Sequence, residues 1–234
     1  MEVSDQLAFL QAIAPSEIIE ASKGFYGEQF KILEDETDEN SAMLRGIFAN
    51  RFTMLDEGYA KKLASEFRNY DKVNPDLKDA VATAYARTHS DFESIVEKYR
   101  ESTSDEDRVR LLGAMMSFKD ASLITLSLGF ALGGEVKRQD VGTMILASLR
   151  NPDARSLTWT WLKVNIDRLK KLFDGTESLS RILISVIPVL GIGRVEEAEK
   201  FFEKNRVGVE SSVEAGLEKL RIYDDLVRKI LSSA

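Results

Sequence analysis

Apolar residues recur at helical spacing along most of the chain, and no segment alternates apolar and polar residues between turn signals. One stripe, at i, i+3, i+4, i+7 and i+8, consists of Leu77, Ala80, Val81, Ala84 and Tyr85. A stripe of this kind is the buried face of an amphipathic helix. The spacing therefore predicts an all-α protein.

Capping residues and glycines mark where these helices begin and end. Asn74–Pro75 and Asn151–Pro152 each place a capping amide before a proline, and Ser104 precedes a run of acidic residues. Ser90 and Glu93 have the spacing of a capping box. Glycines at 133, 134, 175, 191 and 193 indicate helix ends. Together these signals predict helices over 4–13, 15–34, 39–55, 57–70, 75–88, 91–102, 105–118, 120–132, 138–150, 152–173, 177–190, 194–205 and 209–232.

The helix starts also have a longer period. Those at Asn74, at Ser104 and near Arg138 are about 30 to 35 residues apart, and a second helix follows each of them. This period predicts a HEAT-like α-solenoid of stacked antiparallel helix pairs, in one α-helical domain over residues 1–234. The charged segment 209–232 suits a polar terminal helix. The first residues begin directly in an apolar pattern, so we expect a domain that lacks its first helices.

Composition restricts the chemistry. With 32 basic and 39 acidic residues the net charge is −7, so nucleic acid is not an expected partner. The chain has no cysteine, and His89 is its only histidine, so we expect no metal site and no catalytic residue here. The longest apolar runs are shorter than the roughly 20 residues that cross a bilayer, so no membrane is expected. The absence of cysteine and of Asn-x-Ser/Thr acceptors favours the cytoplasm.

Several motifs resemble a known family in their order and spacing. They are Leu111-Leu112-Gly113-Ala114, the basic-x-Gln-Asp turn at 137–140, "WTWLKVN" from Trp159, and the final segments "VEEAEKFFEKN" and "VEAGLEKLRIYDDLVRKIL". The chain is similar to the C-terminal helical domain of aminopeptidase N-like zinc aminopeptidases. That group includes the puromycin-sensitive and endoplasmic-reticulum aminopeptidases and the archaeal tricorn-interacting aminopeptidase factors. The similarity weakens at Ile166, where relatives usually have tryptophan, and at 191–194.

The resemblance implies a function that is not catalytic. Such a domain encloses peptide substrate above a catalytic domain, which holds the zinc on another part of the parent chain. We therefore expect peptide substrate and that catalytic domain as partners, and a parent that is a zinc-dependent aminopeptidase. The alternative is an independent α-solenoid scaffold that binds another protein.

The turn Lys137-Arg138-Gln139-Asp140 is the principal candidate for peptide binding. One interpretation is that Asp140 stabilises the first turn of the next helix and Gln139 bonds nearby backbone. The other is that Arg138 and Gln139 meet a peptide's main chain or terminal carboxylate, which suits a guanidinium. The two interpretations are compatible. Lys137, Arg45 and Arg181 are further candidates for the same basic lining.

Two groups of residues have simpler interpretations. His89 closes a predicted helix, where a cap role is expected. Trp159, Trp161, Phe201, Phe202 and the pair Met115–Met116 have the spacing of core residues.

Overall fold

The computed structural model describes residues 16–232, with side chains from residue 19 onward. Within this range the chain forms twelve α-helices and no strand, which confirms the all-α prediction. The predicted helix 4–13 lies outside the described residues. The helices are α1 (Ser16–Leu33), α2 (Glu39–Leu55), α3 (Glu57–Ala64), α4 (Lys78–Thr88), α5 (Phe92–Glu101), α6 (Asp105–Met115), α7 (Ala121–Ala131), α8 (Arg138–Ser148), α9 (Pro152–Leu172), α10 (Ser178–Leu190), α11 (Val195–Asn205) and α12 (Glu210–Ser232).

Side-chain caps begin several helices where the sequence predicts them. The Asn151 side chain accepts a hydrogen bond from the Asp153 amide at 3.2 Å, and α9 follows directly. Ser104 accepts from the Asp107 amide at 3.3 Å at the start of α6. These bonds satisfy amides that have no partner inside the helix, so the local sequence decides these starts.

The capping box predicted at Ser90 and Glu93 is wrong by one residue. Asp91 caps α5, and its carboxylate accepts from the Ser94 amide at 3.1 Å. The same carboxylate accepts from the Tyr85 hydroxyl at 2.7 Å and the Ser94 hydroxyl at 2.6 Å. The two hydroxyl donors hold the Asp91 carboxylate at the start of α5. Tyr85 lies in the preceding helix, α4, so this cap also depends on a contact between helices.

The single helix predicted over 57–70 is divided. The α-helix α3 ends at Ala64, and a 3-10 segment, Ser65–Lys72, follows with a non-helical residue at Asn69. In a 3-10 helix residues three apart share a face. Phe67 and Tyr70 are spaced in this way and are both buried. A second 3-10 turn, Pro75–Leu77, precedes α4.

The chain divides into two compact units, one up to Ile124 (unit 1) and one from Thr125 (unit 2). In unit 1, α2, α4 and α6 contact one another in succession, and each also contacts the odd-numbered helix before it. In unit 2, α8, α10 and α12 contact in succession, while α9 packs on α10 and α11 on α12. Stacked helix pairs produce such neighbours. The α-solenoid as an arrangement of the whole chain stays a prediction.

Each unit has a central helix. In unit 1 the residues Ala80 to Ala84 of α4 are buried on consecutive positions, so this helix is covered on all sides. In unit 2 Leu183, Val186 and Ile187 of α10 are fully buried. Among the described helices, none is both long and apolar enough to cross a membrane.

Candidate functional site

The turn between α7 and α8 in unit 2 combines a helix stop with a helix start. The Gly133 amide bonds the Phe130 carbonyl at 3.0 Å, and Gly134 has a φ of +99°, which a residue with a side chain rarely adopts. Lys137 is the N-cap residue of α8, and its side chain makes no capping bond. Asp140 is buried in the first turn of α8, where a negative charge is favourable.

Arg138 and Gln139 are both exposed at the start of α8. The Arg138 guanidinium donates to the Asp174 carbonyl, just beyond the end of α9, at 2.6 Å. In return, Arg168 of α9 donates to the Leu132 carbonyl at the end of α7. These two bonds join the turn to the end of α9. A guanidinium has five N–H groups, so Arg138 keeps donors for a ligand.

A groove of about 380 Å³ lies beside this turn. We call it the turn groove, and Leu132, Val136, Val141, Leu172, Arg168 and Lys171 are among the residues that line it. Its aliphatic side chains could take an apolar group, while the two basic side chains attract a carboxylate. The arrangement thus suits an organic acid with an apolar part.

Arg168 and Lys171 lie in no motif that marks them as binding residues. They lie three residues apart, so they share one face of α9, and both are exposed. A basic pair near a helix end also stabilises the helix dipole, so the pattern alone does not distinguish binding from helix stabilisation.

Arg181 lies in the helix that follows the Asp174 turn. Its guanidinium pairs with Glu177 at 3.1 Å, four residues earlier, and both side chains are largely exposed. An exposed pair of this kind contributes little stability. Arg181 thus lies in α10, directly after residues 173–177, and Arg138 bonds the Asp174 carbonyl within that turn.

Arg45 belongs to unit 1 and has a different environment. It is buried, and its guanidinium donates to the carbonyls of Leu33 at 3.0 Å and Glu36 at 2.7 Å. It also forms an ion pair with Asp76. These contacts join the end of α1 to the 3-10 turn before α4. Peptide binding by Arg45 stays a prediction, and it would require some of these bonds to open.

Most of the predicted core residues are buried, and His89 lies at the end of a helix. Trp159, Phe202 and the pair Met115–Met116 are buried, which confirms their interpretation as core, whereas Trp161 and Phe201 are only partly buried. His89 is the residue that ends α4, and its ring stacks on Tyr85 at 4.4 Å. Its amide bonds the Tyr85 carbonyl at 2.9 Å.

Residues 2–222 match the family model described as the ERAP1-like C-terminal domain. The chain belongs to this family. The C-terminal helical domain of M1 aminopeptidases, predicted from the motifs, is thereby confirmed.

Three curated relatives align with most of this chain. Probable aminopeptidase 2 of Sulfurisphaera tokodaii is 36% identical over 205 residues, which is 87% of this chain and 26% of the relative. Leucyl aminopeptidase of Saccharolobus solfataricus is 33% identical over 228 residues, 96% of this chain and 29% of the relative. Tricorn protease-interacting factor F2 of Thermoplasma acidophilum is 31% identical over 243 residues, which is 98% of this chain and 30% of the relative. The chain thus spans less than a third of the length of these relatives.

The family implies zinc, and the residues of this ERAP1-like domain do not fit it. Within residues 16–232, no group of three or more His, Cys, Asp or Glu side chains is placed to hold a metal ion. A catalytic zinc site needs about three protein ligands. No catalytic step through zinc is therefore assigned to these residues.

Proposed function

We propose that this chain is the substrate-enclosing domain of a zinc aminopeptidase that removes N-terminal residues from peptides, and that it performs no chemistry itself. The match of residues 2–222 to the ERAP1-like C-terminal domain is the observation that carries the proposal. In this account zinc and the catalytic groups lie in a domain of the same polypeptide outside these residues. We place the enzyme in the cytoplasm, in keeping with a chain without cysteine.

Peptide would contact the turn groove. Arg138 and Lys171 would receive a carboxylate of the peptide, Gln139 and Lys137 would bond its main chain, and the aliphatic floor would take a side chain. Arg181 would add positive charge from the start of α10. The lining of the groove supplies Lys171 and the aliphatic floor, and the exposed residues Arg138, Gln139 and Lys137 belong to the turn beside it.

An assay of the purified chain tests whether it binds peptide and whether it hydrolyses an aminoacyl substrate. With added zinc and an aminoacyl fluorogenic reporter, we expect no turnover, because the described residues do not provide a zinc site. Fluorescence polarisation with a labelled ten-residue peptide should nevertheless show binding. Turnover that follows the chain through gel filtration would contradict the first statement. A lack of peptide binding at millimolar chain concentration would contradict the second.

The alternative, an independent α-solenoid scaffold, is not favoured by the comparisons, since the relatives with printed activities are named aminopeptidases. The relative from Thermoplasma acidophilum is named for an interaction with tricorn protease. A comparable protein partner for this chain is an additional part of the proposal, and a pull-down with the complete enzyme would test it.

A further inference from the structure

A second cavity, of about 370 Å³, lies in unit 1 and shares no residue with the turn groove. We call it the lysine cavity. It lies where the end of α5 meets the start of α6, beside the start of α4. Its charged lining residues are Lys78, Lys98, Asp71, Glu101 and Asp107.

The two lysines are less exposed than two of the three carboxylates. The side chains of Lys78 and Lys98 are 11% and 21% exposed, whereas those of Asp71 and Glu101 are 74% and 70% exposed. The lining therefore combines two mostly buried lysines with two largely exposed carboxylates, which we call the rim acids.

The two lysines also differ in how firmly they are held. Lys78 pairs with the buried Asp107 at 2.6 Å, and Arg110 binds the other oxygen of that carboxylate at 2.7 Å. Lys98 has longer bonds, to Asp71 at 3.2 Å and to Glu101 at 3.3 Å. Since ion pairs with exposed partners contribute little stability, Lys98 can exchange its partners for a ligand, while Lys78 keeps a fixed position.

We propose that the lysine cavity binds a free α-amino acid. The carboxylate of the ligand replaces the rim acids at the Lys98 ammonium, with Lys78 beside it. The rim carboxylates of Asp71 and Glu101, once released, take the α-ammonium group. A simple anion would be repelled by the three carboxylates and a simple cation by the two lysines, whereas an amino acid carries both charges on one carbon.

The chemistry of the lining distinguishes a free amino acid from the ends of a peptide. The volume of about 370 Å³ is sufficient for such a ligand. A peptide N-terminus lacks the adjacent carboxylate, and a peptide C-terminus lacks the adjacent ammonium. A free amino acid is also what an aminopeptidase releases, but binding at this cavity does not depend on the proposed function.

Isothermal titration calorimetry of the chain with alanine tests the proposal. Alaninamide lacks the carboxylate, N-acetylalanine lacks the ammonium, and inorganic phosphate is a simple anion. We expect alanine to bind and each of the other three to bind at least about tenfold more weakly, because each loses a charge-assisted set of hydrogen bonds. Equal binding of N-acetylalanine or phosphate, or no binding of alanine, would overturn the proposal.

Two variants locate the binding. Lys98→Met removes the exchangeable ammonium without disturbing the buried Lys78–Asp107 pair, so the variant should fold and bind alanine at least about tenfold more weakly. Lys61→Met is the matched control, because Lys61 forms an exposed pair with Glu57 away from the cavity. Alanine binding that is unchanged in Lys98→Met, or lost equally in both variants, would contradict the assignment to this cavity.

Discussion

The contacts between neighbouring elements inside unit 1 and those inside unit 2 include two different kinds of interaction. In unit 1, buried or nearly buried charges join neighbouring elements: Arg45 bonds the turn after α1 and Asp76, and Lys78 of α4 bonds Asp107 of α6. In unit 2, the central contact is aliphatic and close. A Cβ atom at Gly216 of α12 would lie 3.0 Å from the Cβ and Cδ1 atoms of Ile187 in α10.

This difference determines which substitutions each kind of contact tolerates. Buried ion pairs fail when one partner is removed, because the other charge is left without compensation. A close-packed helix contact fails when volume is added, because the backbones must separate. We therefore expect these ionic contacts of unit 1 to be sensitive to charge and pH, and the α10–α12 contact of unit 2 to be sensitive to side-chain size.

The largest effect should follow from Arg45→Met in unit 1. The substitution leaves the Leu33 and Glu36 carbonyls without this donor and Asp76 without its cation. We expect a loss of about 3–5 kcal/mol in the free energy of unfolding, measured by urea titration with far-UV circular dichroism. Arg68→Met, at an exposed arginine of unit 1, is the control and should change it by less than about 0.5 kcal/mol. A loss below about 1 kcal/mol for Arg45→Met would break the contrast between the units.

A smaller effect should follow from Gly216→Ala in unit 2. The added methyl group meets Ile187 in the adjacent helix, and we expect a loss of about 1–3 kcal/mol. Both tryptophans, Trp159 and Trp161, lie in unit 2, so tryptophan fluorescence reports its unfolding. Gly129→Ala is the matched control, since nothing lies within 4 Å of its Cβ position, and it should be neutral or stabilising by up to about 1 kcal/mol. If both variants behave alike, close packing does not limit unit 2.

Acid should weaken the ionic contacts of unit 1. Burial raises the pKa of Asp107, but hydrogen bonds from Lys78 and Arg110 outweigh it and hold the pKa below its ordinary value. The Tyr59 amide and Lys23 likewise lower the pKa of Asp56. A carboxyl group whose pKa is lower in the folded state stabilises the folded protein at any pH above its pKa in the unfolded state, which is about 3.9. This stabilisation is lost as the pH falls through the pKa of the folded state.

Amide hydrogen exchange between pH 5 and pH 3, corrected for intrinsic rates, measures this loss in each unit. We expect protection in α4 and α6 to fall with pH more steeply than protection in α10 and α12. Asp107→Asn should flatten the fall in α4 and α6. An equal fall in both units would remove pH as a difference between them.

The smallest effect is expected at Arg181. Its pair with Glu177 is exposed, so Arg181→Ala should change the free energy of unfolding by less than about 0.5 kcal/mol. Denaturant titration of the variant checks this. A loss above about 1 kcal/mol would mean that Arg181 has a structural role, as Arg45 has, and is not available for a ligand.

Local chemistry made much of the fold predictable from the sequence. The Asn151–Pro152 start and the Gly175 turn predict a helix over 152–173, and α9 spans Pro152–Leu172. Such signals act within a few residues and do not depend on the rest of the fold. The division of 57–70 was not predictable in this way, because the burial of Phe67 and Tyr70 decides it.

The candidate site was less predictable. The turn at 137–140 is visible in the sequence, but the bonds from Arg138 to Asp174 and from Arg168 to Leu132 each join residues 36 positions apart. Such partners depend on helix packing and have no local pattern. Arg45 gives a partial signal, since it lies within the apolar stripe of its helix between Leu44 and Ile47.

The central claim is that this domain selects peptides without performing the chemistry. The direct test compares Arg138→Ala with wild type in the complete enzyme that carries this chain, using a ten-residue peptide and an aminoacyl reporter. We expect kcat/KM for the peptide to fall about tenfold, the effect of one charge-assisted contact, and kcat/KM for the reporter to stay unchanged. Arg150→Ala, at an exposed arginine just beyond the other end of α8, should change neither value. An equal fall for peptide and reporter, or no fall for either, would contradict the account.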